Sequence, residues 1–402
     1  MSTWIPFILL LGMLLFSASV AAYDHRRRQT RLPAEAIQLS VLIPCYNDAA
    51  TLAATLDSIF ASCRHPELEV LVGNDASTDA SASVIDELAE RYPITVHHNK
   101  VNMGKSETLN RMAALATHEI LLFVDADTVL NPRAVADLWM RLESDPRLGA
   151  VSCPYQPLNK GWLPNLQSID YSMIALLQGG YNLFSGLALW GGCIAVRRSA
   201  FMACEGFSLS AITEDVDLAH KLNRNGWRVQ QSMVAVRSWV PGTIQEWIHQ
   251  KMRWTAGGFQ CLFRHPAVWI RNPMHIALIG LYSFLSIHCV HDLIQNTLML
   301  RGILQILDVL NDFFPWRDYF PAISYLYASM IREQLWLFAG FILLNGLYVI
   351  PLIRQRRDLL KLFLVLPFML AYFPAYMVVA SMGLGHFILH SRRLAIQEAR
   401  AW

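Results

Sequence analysis

Ile120-Leu121-Leu122-Phe123-Val124-Asp125-Ala126-Asp127 is the stretch that decides the fold. Its apolar run, bulky or β-branched throughout, is too short for a helix and reads as a strand buried on both faces. Strands of that kind belong to parallel sheets covered by helices. The two carboxylates that follow mean that the strand ends at a polar rim of the core. Upstream the pattern repeats. Residues 38–43 predict a strand ended by Pro44, residues 70–73 a second and residues 94–97 a third. Residues 49–63, a segment running to about Tyr92, and residues 105–116 predict helices between them. Strands alternating with helices imply an α/β domain, a mostly parallel sheet with helices on both faces. Ligands bind such sheets beyond the carboxyl ends of the strands. Pro44-Cys45-Tyr46-Asn47, Asn74–Asp79 and Asp125–Asp127 all fall at such ends.

Each of these ends has a plain reading beside a chemical one. Asp75 can accept hydrogen bonds from a uracil imide or a ribose hydroxyl, or it can belong to an ordinary helix cap. Gly104-Lys105 opens a helix whose N-terminus favours negative charge, or it is a turn with a solvated lysine. Asp125 and Asp127, alternate residues at a strand end, can hold a hard divalent cation on phosphate oxygens. Gly191-Gly192-Cys193 either packs or lets backbone approach a sugar. Thr213 is placed to cap a helix opened by Glu214 and Asp215, in which Asp215 can act as a general base. Residues 243–263 predict an amphipathic helix suited to an interface. Within one turn of it Gln250, Arg253 and Trp254 offer a bidentate phosphate partner and a flat apolar face. Residues 171–183 predict a second amphipathic element.

The chain has 402 residues, 54% hydrophobic and 16% charged. Soluble domains carry about a quarter charged residues. The deficit sits at the N-terminus and beyond about residue 270. The net charge of +2 argues against a general nucleic-acid binder. The 7 cysteines have no CxxC spacing, so neither a zinc site nor a disulfide framework is indicated. Residues 4–22 are long enough to span hydrocarbon. Ser19-Val20-Ala21 resembles a signal-peptide cleavage site, but Arg26, Arg27, Arg28 and Arg31 follow the run and no Lys or Arg precedes it. Positive residues stay cytoplasmic, so an uncleaved anchor with a cytosolic central domain is expected. Further spans are expected at residues 274–300, 334–353 and 360–381, the last as one helix or one broken at Pro374 and Gly383. Arg354-Gln355-Arg356-Arg357 agrees with that orientation.

Taken together, Asp75, Asp125-Ala126-Asp127, Thr213-Glu214-Asp215 and Gln250–Trp254 resemble the motifs of inverting family 2 glycosyltransferases of the GT-A fold. The set is most similar to those of membrane polysaccharide synthases, above all the poly-β-1,6-N-acetylglucosamine type. The resemblance covers residues 38–265. It implies a GT-A α/β domain, Rossmann-like with a mixed sheet, plus α-helical transmembrane segments. It implies a nucleotide-sugar site at Pro44, Tyr46, Asn47, Asp75, Lys105, Asp125 and Asp127, with Mg²⁺ or Mn²⁺ on Asp127 and Asp125. It also implies catalytic roles for Asp215, Glu214, Arg253, Trp254 and Gln250, with Asp215 as the base. Lys251, where Gln or Arg is usual, Ala126, where Gly is usual, and the absence of Glu after Pro241 depart from the pattern.

The expected organisation is an N-terminal transmembrane helix (1–24), a basic linker (25–37), the GT-A domain (38–240), amphipathic interface helices (241–270) and a C-terminal transmembrane region (271–402). The expected function is transfer of a sugar, N-acetylglucosamine first, from a UDP-sugar to a growing polysaccharide at the inner cell membrane. The enzyme would be multi-pass, with a cytoplasmic catalytic domain. Its expected partners are a glycan or glycolipid acceptor, the lipid bilayer, and a small membrane subunit or a second copy, with no nucleic acid. The alternatives are addition of one sugar to a membrane lipid, and a cellulose- or hyaluronan-like synthase using another UDP-sugar.

Overall fold

The computed structural model describes residues 38–63, 68–183, 185–271 and 356–390, with residues 12, 15–20, 23 and 349. Contacts divide the chain into one unit of Leu14–His275 with Val378–Trp402 and another of Met1–Met13 with Ile276–Met377.

The larger unit opens with the predicted alternation: β1 (Ser40–Cys45), α1 (Leu52–Ser62), β2 (Glu69–Asn74), α2 (Ser81–Arg91), β3 (Thr95–His98), α3 (Lys105–Leu115) and β4 (Ile120–Val124). It continues through β5 (Thr128–Val129), α4 (Pro132–Ser144), β6 (Leu148–Ser152), β7 (Tyr155–Pro157) and α5 (Trp162–Gly180). Then come β8 (Cys193–Arg197), α6 (Arg198–Ala203), α7 (Glu214–Arg224), β9 (Arg228–Gln231), β10 (Val236–Ser238), α8 (Ile244–Arg264) and α9 (Pro266–Arg271). A seven-stranded sheet has the order β3-β2-β1-β4-β8-β6-β9, and a three-stranded sheet the order β5-β10-β7.

The strands β3, β2, β1 and β4 are mutually parallel, as expected from buried runs joined by helices. Alternate residues face opposite layers. Val41, Ile43, Val72 and Leu122 pack with Leu56 of α1 and Leu138 of α4. Leu42, Leu71 and Phe123 pack with Leu109 of α3 and Leu218 of α7. Each fully buried side chain of this size contributes roughly 1.5–3 kcal/mol, so the alternation fixes the register.

Two features depart from expectation. Pro44 does not end β1; it is buried and pairs with Gly73. The Cys45 carbonyl accepts from Asp75 N, 2.9 Å away, so Cys45 faces β2 and Pro44 faces the β4 side. Pairing with β4 stops at Leu42, so the missing N–H of Pro44 removes no ladder bond. The second feature is β8, which inserts antiparallel between β4 and β6 and makes the sheet mixed. Its first residue therefore lies beside the last residue of β4, with Cys193 opposite Val124. That pairing carries Gly191 and Gly192 to the carboxyl end of the parallel strands.

Among the described residues no helix is long and apolar enough to cross a membrane. The spans expected at 274–300 and 334–353 and most of 4–22 lie outside the described residues. The segment expected at 360–381 is helical but divided. A 3₁₀ turn, Arg356–Leu364, leads into α10 (Val365–Pro367), a wide π turn over Phe368–Tyr372 and α11 (Phe373–His390). The irregular backbone surrounds Pro367, which lacks a ladder donor. Pro374 and Gly383 both lie inside α11.

Candidate active site

The loops after β1 and β2 are tied to one another. Asn47 adopts φ 59°, a conformation that Asn tolerates. Its Oδ1 accepts from Thr78 N at 2.8 Å and Asp79 N at 3.3 Å, and its own N–H donates to Ser77 Oγ at 3.1 Å. Asn47 therefore staples the two loops, while Tyr46 lies half-buried beside it and Pro44 sits within the sheet.

Asp75 is buried. Oδ1 accepts from Asn99 Nδ2 and Met103 N, each at 2.9 Å, and Oδ2 accepts from Gly104 N at 2.7 Å. In this structure its carboxylate shapes the turn before α3. Gly104 takes φ 85° there, and the turn delivers Lys105 to the first position of α3.

Lys105 is the hub. Its Nζ lies 2.6 Å from Asp125 Oδ1 at the end of β4 and 3.1 Å from Glu214 Oε1 at the start of α7. Burial works against the lysine's charge, but Asp125 and Glu214 overcome it and hold the ammonium protonated well beyond its ordinary range. Glu214 responds in kind. Burial alone would raise its carboxyl, and Lys105 with Arg253 brings it below the usual value. Asp125 is raised by burial despite Lys105.

Asp215 is pushed up to about 7 by burial and by the neighbouring Glu214, with Lys105 and Arg253 opposing. It lies against Gly191; a Cβ at that glycine would stand 2.9 Å from Asp215 Oδ2. Asp127 is likewise pushed up to about 7, by burial and by Asp125 and Asp48. Its Oδ1 accepts from Thr128 Oγ1 and from Ser238 Oγ of β10, each at 3.3 Å, so the small sheet holds this side of the site.

Asp48 joins the cluster although sequence reading passed it over. Burial raises it to about 6, with Asp125 and Asp79 adding to the shift. Its position one residue after the Pro44–Asn47 strand-end motif is the signal that could have marked it.

The site fits a divalent ion in one respect. Among the described residues no group of three or more His, Cys, Asp or Glu is placed to hold a metal by itself. Asp127, short of positive charge and with Asp48 nearby, and Asp125, whose Oδ1 also meets Lys105, form a carboxylate rim suited to an ion that completes its shell with phosphate oxygens and water.

The other wall is α8. Thr243 and Glu246 close a capping box at its N-terminus, which fixes where the helix begins. Arg253 is exposed, and its charge reaches Asp125, Glu214 and Asp215. Gln250 Oε1 lies 3.4 Å from the Tyr171 hydroxyl, which is also 3.1 Å from Gln167 Oε1. Trp254 packs at 6.0 Å on Tyr171, and Trp190 and Tyr155 complete the aromatic wall. Tyr155 in turn contacts Gly192 N through its hydroxyl, which joins this wall to the acidic cluster.

Two expectations change in detail. Thr213 holds the N-cap position of α7, but its side chain makes no cap hydrogen bond; Oγ1 faces Cys261 Sγ at 3.8 Å. Gly257 of α8 is the reason. A Cβ there would overlap Thr213 Oγ1 and Cγ2, so α8 seats itself on this threonine. The third acid of the run, Asp217, is wholly structural. It accepts from Ser208 Oγ at 2.5 Å, Arg264 Nη1 at 3.1 Å and His265 Nε2 at 2.9 Å.

Residues 40–204 match the model of Glycosyl transferase family 2. The chain carries a family 2 glycosyltransferase domain. The domain's curated relatives include two proteins named poly-beta-1,6-N-acetyl-D-glucosamine synthase. The one from Staphylococcus epidermidis is 30% identical over 231 residues, 56% of this chain and 56% of that protein. The one from Staphylococcus aureus (strain COL) is 28% identical over 231 residues, again 56% of each. The chain thus spans about half the length of the curated relatives it matches. A solved mannosyltransferase from Pyrobaculum calidifontis, in complex with GDP-Man and Mn²⁺, is 18% identical with a TM-score of 0.54, covering 97% of this chain and 99% of that one. The likeness is one of fold: the domain has the mixed α/β sheet of the GT-A type.

Proposed function

We propose that the chain is a UDP-sugar-dependent inverting glycosyltransferase that adds N-acetylglucosamine to a growing glycan. The observation that carries this reading is the convergence of Asp215, which lies against Gly191, with Glu214 and Asp125, which Lys105 ties together; burial and Glu214 push the Asp215 carboxyl up to about 7. A base with that pKa is poised to work near neutral pH. In the transfer the acceptor hydroxyl oxygen attacks the anomeric carbon and the bond from that carbon to UDP breaks. The hydroxyl proton passes to Asp215, and UDP departs with the bonding pair. A single displacement inverts the anomeric centre.

Asp127 and Asp125 would hold Mg²⁺ or Mn²⁺, which when bound neutralises charge on the diphosphate. Arg253 offers paired N–H donors to the same oxygens. Lys105 keeps Glu214 ionised, so proton uptake falls to Asp215. Asp75 shapes the nucleotide cradle through the turn at Gly104, and Asn47 holds its opposite loop. Trp254 and Gln250 present the acceptor side. The apolar runs at both ends and the arginines after residue 25 support a multi-pass protein of the inner membrane with this domain in the cytoplasm.

The test uses the full chain in detergent with single labelled UDP-sugars and Mg²⁺, and sizes the product. A polymer from UDP-N-acetylglucosamine is expected; a single glycolipid would replace the polymer reading with one-step transfer. Asp215→Asn should bind UDP as wild type does by calorimetry and lose nearly all transfer. Near-normal turnover in that variant would overturn the assignment.

A further inference from the structure

Lys251 stands in the middle of the acceptor wall without facing it. Both Lys251 and its partner Asp170 of α5 are wholly buried, with Nζ 2.8 Å from Oδ2. The ammonium also lies 4.1 Å from the Trp254 ring centroid and 4.9 Å from that of Tyr171. A charge removed from water is costly unless its partners are well placed. Here the partners include one carboxylate and two ring faces, each of which attracts a cation. The indole is thereby held from one side by a charge that is itself fixed to α5.

We propose that Lys251 is a positioning residue for the acceptor: its pairing with Asp170 and its contact with the indole fix the plane of Trp254 against which the acceptor sugar rests. The inference builds on the glycosyltransferase reading of the site. It also gives the lysine at this position a use, since a cation reaching both Asp170 and the indole adds a charged tie between α5 and the acceptor wall to the Tyr171–Trp254 packing.

Lys251→Met alone leaves Asp170 buried without its cation and should fold poorly. The decisive variant is therefore Lys251→Met with Asp170→Asn, which removes both charges, with Lys251→Arg as the conservative control. In full-chain protein, KM for an N-acetylglucosamine oligomer should rise about tenfold in the double variant, the scale of a cation–π interaction in a site shielded from water. UDP affinity by calorimetry should stay within twofold, and Lys251→Arg should recover most of the acceptor affinity. A purely structural pair predicts otherwise: a folded double variant would then have wild-type acceptor KM, and that result overturns the proposal. Equal loss of UDP affinity would overturn it too. A wild-type chain that neither binds UDP nor transfers sugar would instead overturn the enzyme reading, and this inference with it.

Discussion

Gly191→Ala isolates the position of the candidate base. The added Cβ would stand 2.9 Å from Asp215 Oδ2, 3.4 Å from its Cγ and 3.7 Å from its Cβ. Only the first approach is too close. The clash therefore falls on the end of one side chain, which can relieve it by turning through about half an ångström while the backbone stays put. A misplacement of about 1 Å at a reacting group can cost about 10²-fold, so half of that displacement should lower kcat roughly tenfold. The ceiling is what a positioned base contributes, about 10²–10⁴-fold. The assay is turnover of labelled UDP-sugar with full kinetic constants, beside UDP calorimetry and a thermal melt. Lower kcat with unchanged UDP affinity and a nearly unchanged melt is expected. In an Asp215→Asn background the same glycine substitution should cost nothing further, because the group it displaces no longer acts. A kcat within twofold of wild type, or an additive loss in the double variant, would refute the placement of the base beside Gly191.

Transfer should fall as pH drops through about 7, where Asp215 takes up its proton, and the pH-rate profile of Asp215→Asn should lose that limb. Stability moves the opposite way. A carboxyl whose folded pKa is raised stabilises the fold below its unfolded value, near 3.8, and loses that contribution as pH rises through about 7. Melts at pH 8 should therefore show Asp215→Asn and Asp127→Asn more stable than wild type, with the gain gone at pH 4. Asp217 has the reverse sign. It is held down to about 2 by its His265 and Ser208 hydrogen bonds and by Arg264, which outweigh burial, so its contribution is present above about 3.8 and lost as pH falls through about 2. Asp217→Ala should cost about 3 kcal/mol by denaturant unfolding, because it strips a buried group from charged partners. Gly257→Ala should cost about 1–3 kcal/mol, since overpacking against Thr213 outweighs the helix propensity gained. Chelation should abolish transfer and Mn²⁺ should restore it, while Asp127→Asn should leave transfer low at every Mn²⁺ concentration tried.

Much of this was legible in the chain. The run at 120–124 forms the strand expected at those residues, and the helix predicted to begin at Lys105 begins there. Apolar strands between amphipathic helices have few other ways to bury themselves. The acids were legible because Asp125, Asp127 and Asp215 sit where an element ends, and side chains there point out of the core. What local pattern cannot reach is the partner across the fold. Asp75 reads as a ligand group or a cap from its place after β2; that it also accepts from the loop 28 residues later is set by the fold. Lys251 stands out in the sequence only as a departure from the usual Gln or Arg on an amphipathic helix; its ion pair with Asp170 depends on where α5 lies. Gly191-Gly192-Cys193 reads as a close packing or a backbone approach, and nothing local to it marks the strand Cys193–Arg197 that inserts antiparallel between β4 and β6.

Those long-range placements also explain the electrostatics. Asp48, Asp125, Asp127, Glu214 and Asp215 converge from three strand or helix ends, and Lys105 and Arg253 are the cations that reach them. Lys105 contacts Asp125 and Glu214 directly, which leaves Asp215 on one side and Asp127 on the other undercompensated. These are the two that rise to about 7. The asymmetry separates the site into an arm that can accept a proton and an arm that can accept a cation, with the lysine between them. Burial presses each of these carboxyls upward, and the ammonium placed by the turn at Gly104, together with Arg253, brings Glu214 alone below its ordinary value, so that chemically similar carboxylates are suited to different work.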